Sequence, residues 1–341
     1  MIIRVVGSVF AAAAVLATFN SAASAVMIST MPVGSPGNAP DSRVASDSTT
    51  GYGGVAYNYR IATYDVTNAQ YAEFLNAKAS AADSYGLWNP NMDPSQFEGA
   101  ISRSGSGPYS YIVKPGYANK PVVNVSWYDS VRFVNWLTNG QGNADTESGT
   151  YLITGGGNNS GTVLVPDATQ RMAWAATNSF HWLLPSENEW YKAAYYNALG
   201  GTYCAYPFQS NSEPAALAPP GNTNSGNFNN QAYNYDGNGS YLTEVGAYPN
   251  SLSPFGSFDM GGDVFQWNDT AIGSGRGLRG GGSSNYPSLS AASFRFADSP
   301  TSENYLAGFR VASIPEPHSI ILVLIGLSGL VIFNKGFRAI T

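Results

Sequence analysis

Three short helix starts, set far apart by polar loops, constrain this chain more than any other feature. Thr67 is followed at the third position by Gln70, and Ser186 by Glu189. In this pattern a hydroxyl and a later side chain satisfy each other's backbone N–H groups, and Ser126 offers the same hydroxyl ahead of Trp127. Behind each start lies a brief apolar face: Tyr71, Phe74 and Leu75; Trp127, Val131 and Val134; Trp190, Ala193 and Ala194. Strand-like runs at residues 59–64, 122–125 and 181–184 precede them. The loops at residues 138–179 and 205–243 are too long to be simple connections and read as functional or ordered segments. No internal repeat is evident, so the pattern predicts one α+β domain with few regular elements and long loops. The chain's 38 glycines and 20 prolines supply the turns. Its 43% hydrophobic and 13% aromatic content is enough for a sizeable core, although only 11% of residues are charged, against roughly 25% in ordinary soluble proteins.

Both ends read as processing signals. Arg4 precedes an apolar run at residues 5–17, and Ala23-Ser24-Ala25 offers small residues for a signal peptidase, so residues 1–25 are expected to be a secretory signal peptide. At the other end, Pro315-Glu316-Pro317 is followed by an uncharged stretch at residues 320–333 and then by Lys335 and Arg338. As a helix that stretch would be about 21 Å long, short of a bilayer core of roughly 30 Å. The order of Pro-Glu-Pro, apolar helix and basic tail resembles the PEP-CTERM sorting signal over residues 315–341. That resemblance implies an exosortase-type processing enzyme as a partner, with membrane attachment through the C-terminal helix at least until cleavage. A plain tail anchor is the alternative. Residues 26–314 are then the exported body, destined for the cell envelope, cell surface or extracellular matrix.

Removing Arg4, Lys335, Arg338 and Glu316 leaves 13 basic against 21 acidic residues. Nothing forms a basic stripe, which disfavours nucleic acid and anionic membrane surfaces as partners. One cysteine makes neither an intramolecular disulfide nor a cysteine-rich zinc site, and two histidines make no three-histidine metal centre.

The order of local motifs is more specific. Tyr64-Asp65-Val66-Thr67-Asn68-Ala69-Gln70-Tyr71 comes first, then Pro121-Val122-Val123-Asn124-Val125-Ser126-Trp127 and Leu184-Pro185-Ser186-Glu187-Asn188-Glu189-Trp190. Asp259-Met260-Gly261-Gly262-Asp263-Val264-Phe265-Gln266-Trp267 follows, with Leu278-Arg279-Gly280-Gly281 and Gly308-Phe309-Arg310-Val311 behind it. This series resembles the formylglycine-generating enzyme, or sulfatase-modifying factor, family over nearly the whole body. The resemblance implies a variant of the C-type-lectin-like fold with a groove on one face. It also implies oxidase chemistry at two cysteines a few residues apart, shortly after the Arg-Gly-Gly segment, whose thiolates bind copper. Here that stretch reads Ser283-Ser284-Asn285-Tyr286-Pro287-Ser288-Leu289-Ser290, with no cysteine as far as Arg310, so copper is not expected. Cys204 lies far upstream without a partner and reads as a small buried hydrophobe, with an intermolecular disulfide as the alternative. A related branch of the fold holds iron with three histidines, but His181 is the body's only histidine. Its place beside Trp182-Leu183-Leu184 suits a structural role better than a Ser-His-Asp triad.

The resemblance further implies calcium. One site would use Asp259, Gly262, Val264 and Gln266, with Gly262 and Val264 giving carbonyls; Gln266 stands where the family usually has Glu, so a charge is lost, and Asp259 restores one where an amide is frequent. A second would draw on Asn222, Thr223, Asp236 and Asn238. Turn-rich loops that bond their own backbone use the same residue types. Arg279, Arg295 and Arg310 match family positions and are expected to form buried bridges with acids such as Asp263, Asp269 or Asp298. The remaining surface, residues 283–290 together with residues 222–241, is rich in Tyr, Asn, Ser and Gly, a composition suited to recognising a glycan or peptide. The body therefore reads as a non-catalytic binding or structural protein. An oxidase or related sulfatase-modifying enzyme with an unrecognised ligand set is the alternative, and a scaffold in a polysaccharide-rich matrix is a third.

Overall fold

A computed structural model describes residues 25–314; the readings of the two chain ends as processing signals fall on segments outside the described residues. Among the described residues four α-helices form: α1 (Asn68–Lys78), α2 (Trp127–Thr138), α3 (Ala168–Thr177) and α4 (Glu187–Tyr195). Capping boxes close the starts of α1, α2 and α4, with Thr67 and Gln70, Ser126 and Asp129, and Ser186 and Glu189 exchanging side-chain and backbone bonds. The segment at 138–179 is more regular than its composition suggests. It holds a hairpin of Leu152–Gly157 with Ser160–Leu164, and then α3. The one fully buried side chain of α3 is Arg171, with half-buried Trp174 and Ala175 packed on the core beside it, so this helix docks through a charge and its apolar face is too thin to stand out by periodicity. The expected strand at residues 122–125 does not form. Asn124 takes a left-handed φ of 59°, which breaks the extended run between buried Val122 and Val125. Among the described residues no helix is long and apolar enough to cross a membrane.

Two four-stranded sheets organise the body. In the first, Thr30–Val33, Tyr59–Ala62, Ala312–Ile314 and His181–Leu183 lie side by side, all antiparallel. In the second, Phe296–Asp298, Gly275–Arg279 and Phe265–Ile272 pair antiparallel, and Ala307–Phe309 adds a parallel edge. The last two strands of the body thus belong to different sheets, and Arg310 sits in the step between them. Aromatic rings fill the space under the helices: Phe133 packs 5.4 Å from Phe74, 5.7 Å from Trp136 and 5.3 Å from Phe309, centroid to centroid. This cluster fastens α1 and α2 onto the second sheet's edge and buries the faces that the sequence marks as apolar.

Arg310 is fully buried and uses its whole guanidinium. Its Nε donates to Gln266 Oε1 at 2.7 Å and its Nη1 to the carbonyl of Ala62 at 3.1 Å. Nη2 reaches Asp65 Oδ1 at 3.1 Å and the carbonyls of Phe258 and Asp259 at 2.9 and 3.0 Å. One side chain therefore joins the first sheet, the start of the α1 segment and the loop that enters the second sheet.

Replacing Arg310 with Met should leave the buried Asp65 carboxyl without its partner and cost about 3–5 kcal/mol of unfolding free energy. Adding Asp65→Asn to that variant should recover part of the loss, because it removes the stranded ionisable group. Urea denaturation of the single and double variants checks this; a double variant no more stable than Arg310→Met would contradict the bridge as the source of the cost.

Candidate functional site

The two segments singled out for their binding-loop composition lie against each other. The N–H of Asn229 donates to the carbonyl of Asn285 and that of Asn230 to the carbonyl of Ser283, each at 2.9 Å; Ser283 in turn donates to the carbonyl of Asp263 at 2.8 Å. Gly282 and Asn285 close a tight turn between them, with the Gly282 N–H on Asn285 Oδ1 at 3.0 Å. Residues 283–290 therefore do not hang free, because their neighbour across the surface is the loop at 227–241.

Beside this seam is an exposed aromatic platform. Tyr241 lies 4.4 Å from Tyr233 and 5.5 Å from Phe97, and Phe97 meets Tyr305 edge-on at 4.9 Å. Phe97 is 55% exposed, Tyr233 53% and Tyr305 37%, and Tyr286 on the neighbouring turn is 72% exposed. The rings are held from below. Buried Glu98 accepts the Tyr241 N–H at 2.7 Å and the Ser240 hydroxyl at 2.6 Å, which clamps the loop to the segment bearing Phe97. Asn227 adds a second tie, donating to the carbonyl of Tyr241 and to Asp263 Oδ1, both at 2.6 Å. Phe97 and Tyr305 escape sequence reasoning because nothing local marks them; they join the platform from loops far apart in the chain. An acidic residue directly after an exposed Phe, as in Phe97-Glu98, is too common a pair to have signalled it.

Most of the residues expected to hold calcium already have partners within the protein. Gln266 Oε1 accepts from Trp190 Nε1 and from Arg310 Nε, both at 2.7 Å, while its amide donates to the carbonyl of Asp259. The carbonyl of Gly262 accepts the N–H of Val264, and Asp259 Oδ2 accepts that of Gly246. A guanidinium thus occupies the side of Gln266 where a cation would have to bind. In the second set, Asn222 Oδ1 accepts the N–H of Asn224 within its own turn, and Asp236 pairs with Lys120 at 2.7 Å. Asp236 also accepts the N–H of Asn238, and Thr223 is exposed. The structure gives Asn222 and Asp236 separate tasks. Asn227 Oδ1, in the same neighbourhood, is a buried acceptor with no protein partner.

The arginine bridges form, with partners other than the expected Asp263, Asp269 and Asp298. Arg279 and Arg295 converge on Glu187 at the start of α4, at 2.6 and 2.8 Å, and Arg295 also reaches Asp47. Arg310 takes Asp65, and Asp269 goes instead to Arg171. The partners lie far away in sequence, so spacing within the C-terminal motifs does not reveal them. Asp298 only accepts the N–H of the next residue.

Cys204 is buried, and desolvation pushes its thiol up from the ordinary range. It adjoins the end of the 283–290 segment, since the carbonyl of Ala205 accepts the Ala292 N–H at 2.8 Å. His181 stacks on Trp174 at 3.9 Å, its Nε2 lies 3.0 Å from the Ser179 hydroxyl, and its buried Nδ1 has no partner. A triad would need a carboxylate at that nitrogen. Among the described residues no three His, Cys, Asp or Glu side chains gather as a metal site.

Under the platform, burial pushes the Asp259 carboxyl up to about 6 and that of Asp263 to about 7. The N–H of Gly246 opposes the shift at Asp259, and that of Thr243 together with Asn227 opposes it at Asp263. Between pH about 4 and 7 the folded chain therefore holds protons at these sites that the unfolded chain has released. Their contribution to stability falls as pH rises through that window. With chelator present, Asp263→Asn should show a shallower loss of Tm between pH about 5 and 8 than the unaltered protein; an equal or steeper slope would contradict the assignment.

Comparison with known proteins places this arrangement. The model of the sulfatase-modifying factor enzyme 1-like domain matches residues 51–314. A hercynine oxygenase from Mycolicibacterium smegmatis is 28% identical over 170 residues, covering 43% of this chain; the match spans about a third of that relative, 35% of its length. Among solved structures, Treponema denticola variable protein 1 superposes with a TM-score of 0.50 at 19% identity, covering 86% of this chain and 97% of that one. A protein named CarF gives 0.48 at 16% identity, covering 84% and 98%. The likeness to the Treponema protein is one of fold.

Proposed function

The chain belongs to the sulfatase-modifying factor enzyme 1-like domain family, and from that premise we propose that it is an exported, non-catalytic binding protein of the cell envelope or matrix that recognises a glycan through its aromatic platform. The observation that carries this reading is the platform itself. Phe97, Tyr233, Tyr241 and Tyr305 present ring faces and edges to solvent while Glu98 and Asn227 fix the loop beneath them. Rigid rings lose little entropy on binding and cover the apolar faces of sugar rings, and the flanking Asn229, Asn230 and Asn285 offer adaptable amides for hydroxyls. A peptide would use the same rings. The expected signal peptide and sorting segment supply the route to the surface.

Copper chemistry does not suit the residues present. A copper(I) centre wants soft ligands, and residues 283–290 offer hydroxyls, an amide and a phenol, with Cys204 buried beside them and lacking a second thiol. Calcium is better matched to the loop at 227–241, where Asn227 Oδ1 is an open acceptor, than to Gln266, which already faces Arg310.

A second reading rests on the likeness to an oxygenase: the body keeps a sulfatase-modifying or related oxidative activity through other ligands. Glycan arrays run with and without calcium, followed by titration of the best ligand, separate the two. Phe97→Ala and Tyr241→Ala should each weaken binding by about tenfold or more, as for central interface residues, with Tm changed little. Stoichiometric copper binding with conversion of a cysteine peptide to an aldehyde would establish the second reading instead.

A further inference from the structure

A cavity of about 500 Å³ opens between residues 54–57, α3, the start of α4 and the facing positions 269–271 and 276 of the strands Phe265–Ile272 and Gly275–Arg279. None of its lining residues belongs to the aromatic platform. Arg276 stands in its wall, half-buried, and its chemistry sets it apart from the other interior arginines. Arg132, Arg171, Arg279, Arg295 and Arg310 each hold a carboxylate. Arg276 holds none within ion-pair distance among the described residues. Its guanidinium lies over the Trp127 ring at 4.0 Å, and Nη1 donates to the main-chain carbonyl of Asp269 at 2.7 Å. The Asp269 carboxylate is near but committed to Arg171 and to the Tyr151 hydroxyl. The remaining guanidinium N–H groups are thus left for solvent or a ligand, in a setting where burial lowers the pKa of Arg276.

The rest of the lining narrows the ligand. The first turn of the ten-residue α3 borders the cavity through Ala168, adding the positive end of a helix dipole to the Arg276 charge. Asp167, which caps that helix, stands at the same wall and would repel a multiply charged anion. Val55, Val165, Pro166 and Met172 give an aliphatic side; Asn188 and Thr270 give a polar one. We propose that this cavity binds a small organic monocarboxylate, its carboxylate paired with Arg276 and its carbon skeleton against the aliphatic side. Such a carboxylate belongs to a short aliphatic acid or to an acidic sugar.

Calorimetric titration of the full chain with hexanoate, with glucuronate, with the neutral counterparts hexanol and glucose, and with inorganic sulfate tests the assignment. Binding of either carboxylate, with its neutral counterpart at least about tenfold weaker, is the expected result. Hexanoate alone identifies the aliphatic source and glucuronate alone the sugar. Arg276→Gln should weaken the bound carboxylate by at least about tenfold. Met172→Trp, at an exposed helix position, should block the cavity without unfolding the chain, and Phe97→Ala should leave this binding unchanged. Absence of binding by both carboxylates, equal binding of sulfate, or full binding by a folded Arg276→Gln variant each overturns the proposal. Because the platform variant is a separate arm, loss of glycan recognition there and loss of carboxylate binding here are distinguishable.

Discussion

Arg310 stands where the chain leaves one sheet for the other, and the body is arranged around keeping its charge satisfied out of water. A guanidinium moved into the interior costs several kcal/mol unless its donors are met. Here a carboxylate, an amide and three carbonyls from separate segments meet them. Each partner is thereby held in place. Gln266 is fixed at the head of the second sheet, Asp65 just before α1, and Asp259 in the loop that enters the second sheet. The last strand of the body, Ala312–Ile314, then lies between Tyr59–Ala62 and His181–Leu183, so chain segments from the beginning, middle and end close on one another.

The same economy explains the composition. Few residues are charged, and many of those that are serve as internal fasteners: Glu187 between Arg279 and Arg295, Arg171 between Glu189 and Asp269, Glu98 beneath Tyr241. Buried ion pairs of this kind add little net stability compared with apolar packing, but they are directional, and they specify how long polar loops lie on the core. Loops so rich in glycine and asparagine have little apolar area with which to fix their own course. Exposed Phe97 and Tyr233 can remain rigid because the groups beneath them are tied.

Where the family resemblance implies a pair of thiolates, this chain has hydroxyls and amides, and the neighbouring loop covers the segment through two backbone hydrogen bonds. Chemistry and scaffold are separable here because the residues that define the fold lie in the interior: the capping boxes, the Gln266 and Arg310 contact, the aromatic cluster around Phe133. Exposed Ser284, Tyr286 and Ser288 can change without disturbing them, whereas Ser283, Pro287 and Ser290 of the same segment are buried. Arg276 presents the opposite case, a charge without a carboxylate partner among the described residues, at the wall of a cavity the motifs do not mention.

The sequence by itself determined the helix starts at Thr67, Ser126 and Ser186, the apolar faces behind them, the mixed α and β character and the family, because capping and periodicity are local and leave a signature within a few residues. It also marked residues 283–290 and 222–241 as segments of unusual composition, although the structure buries Ser283, Pro287 and Ser290 in the one and Ser225, Asn227, Phe228 and Ser240 in the other. Only the tertiary structure decided which acid each arginine takes, that α3 exists and docks through Arg171, that Gln266 faces Arg310, and that Phe97 and Tyr305 complete the platform. Those outcomes depend on contacts between segments tens to hundreds of residues apart. Their cause is the cost of leaving a buried charge or polar group unpaired, and that cost is set only once the chain has closed around it.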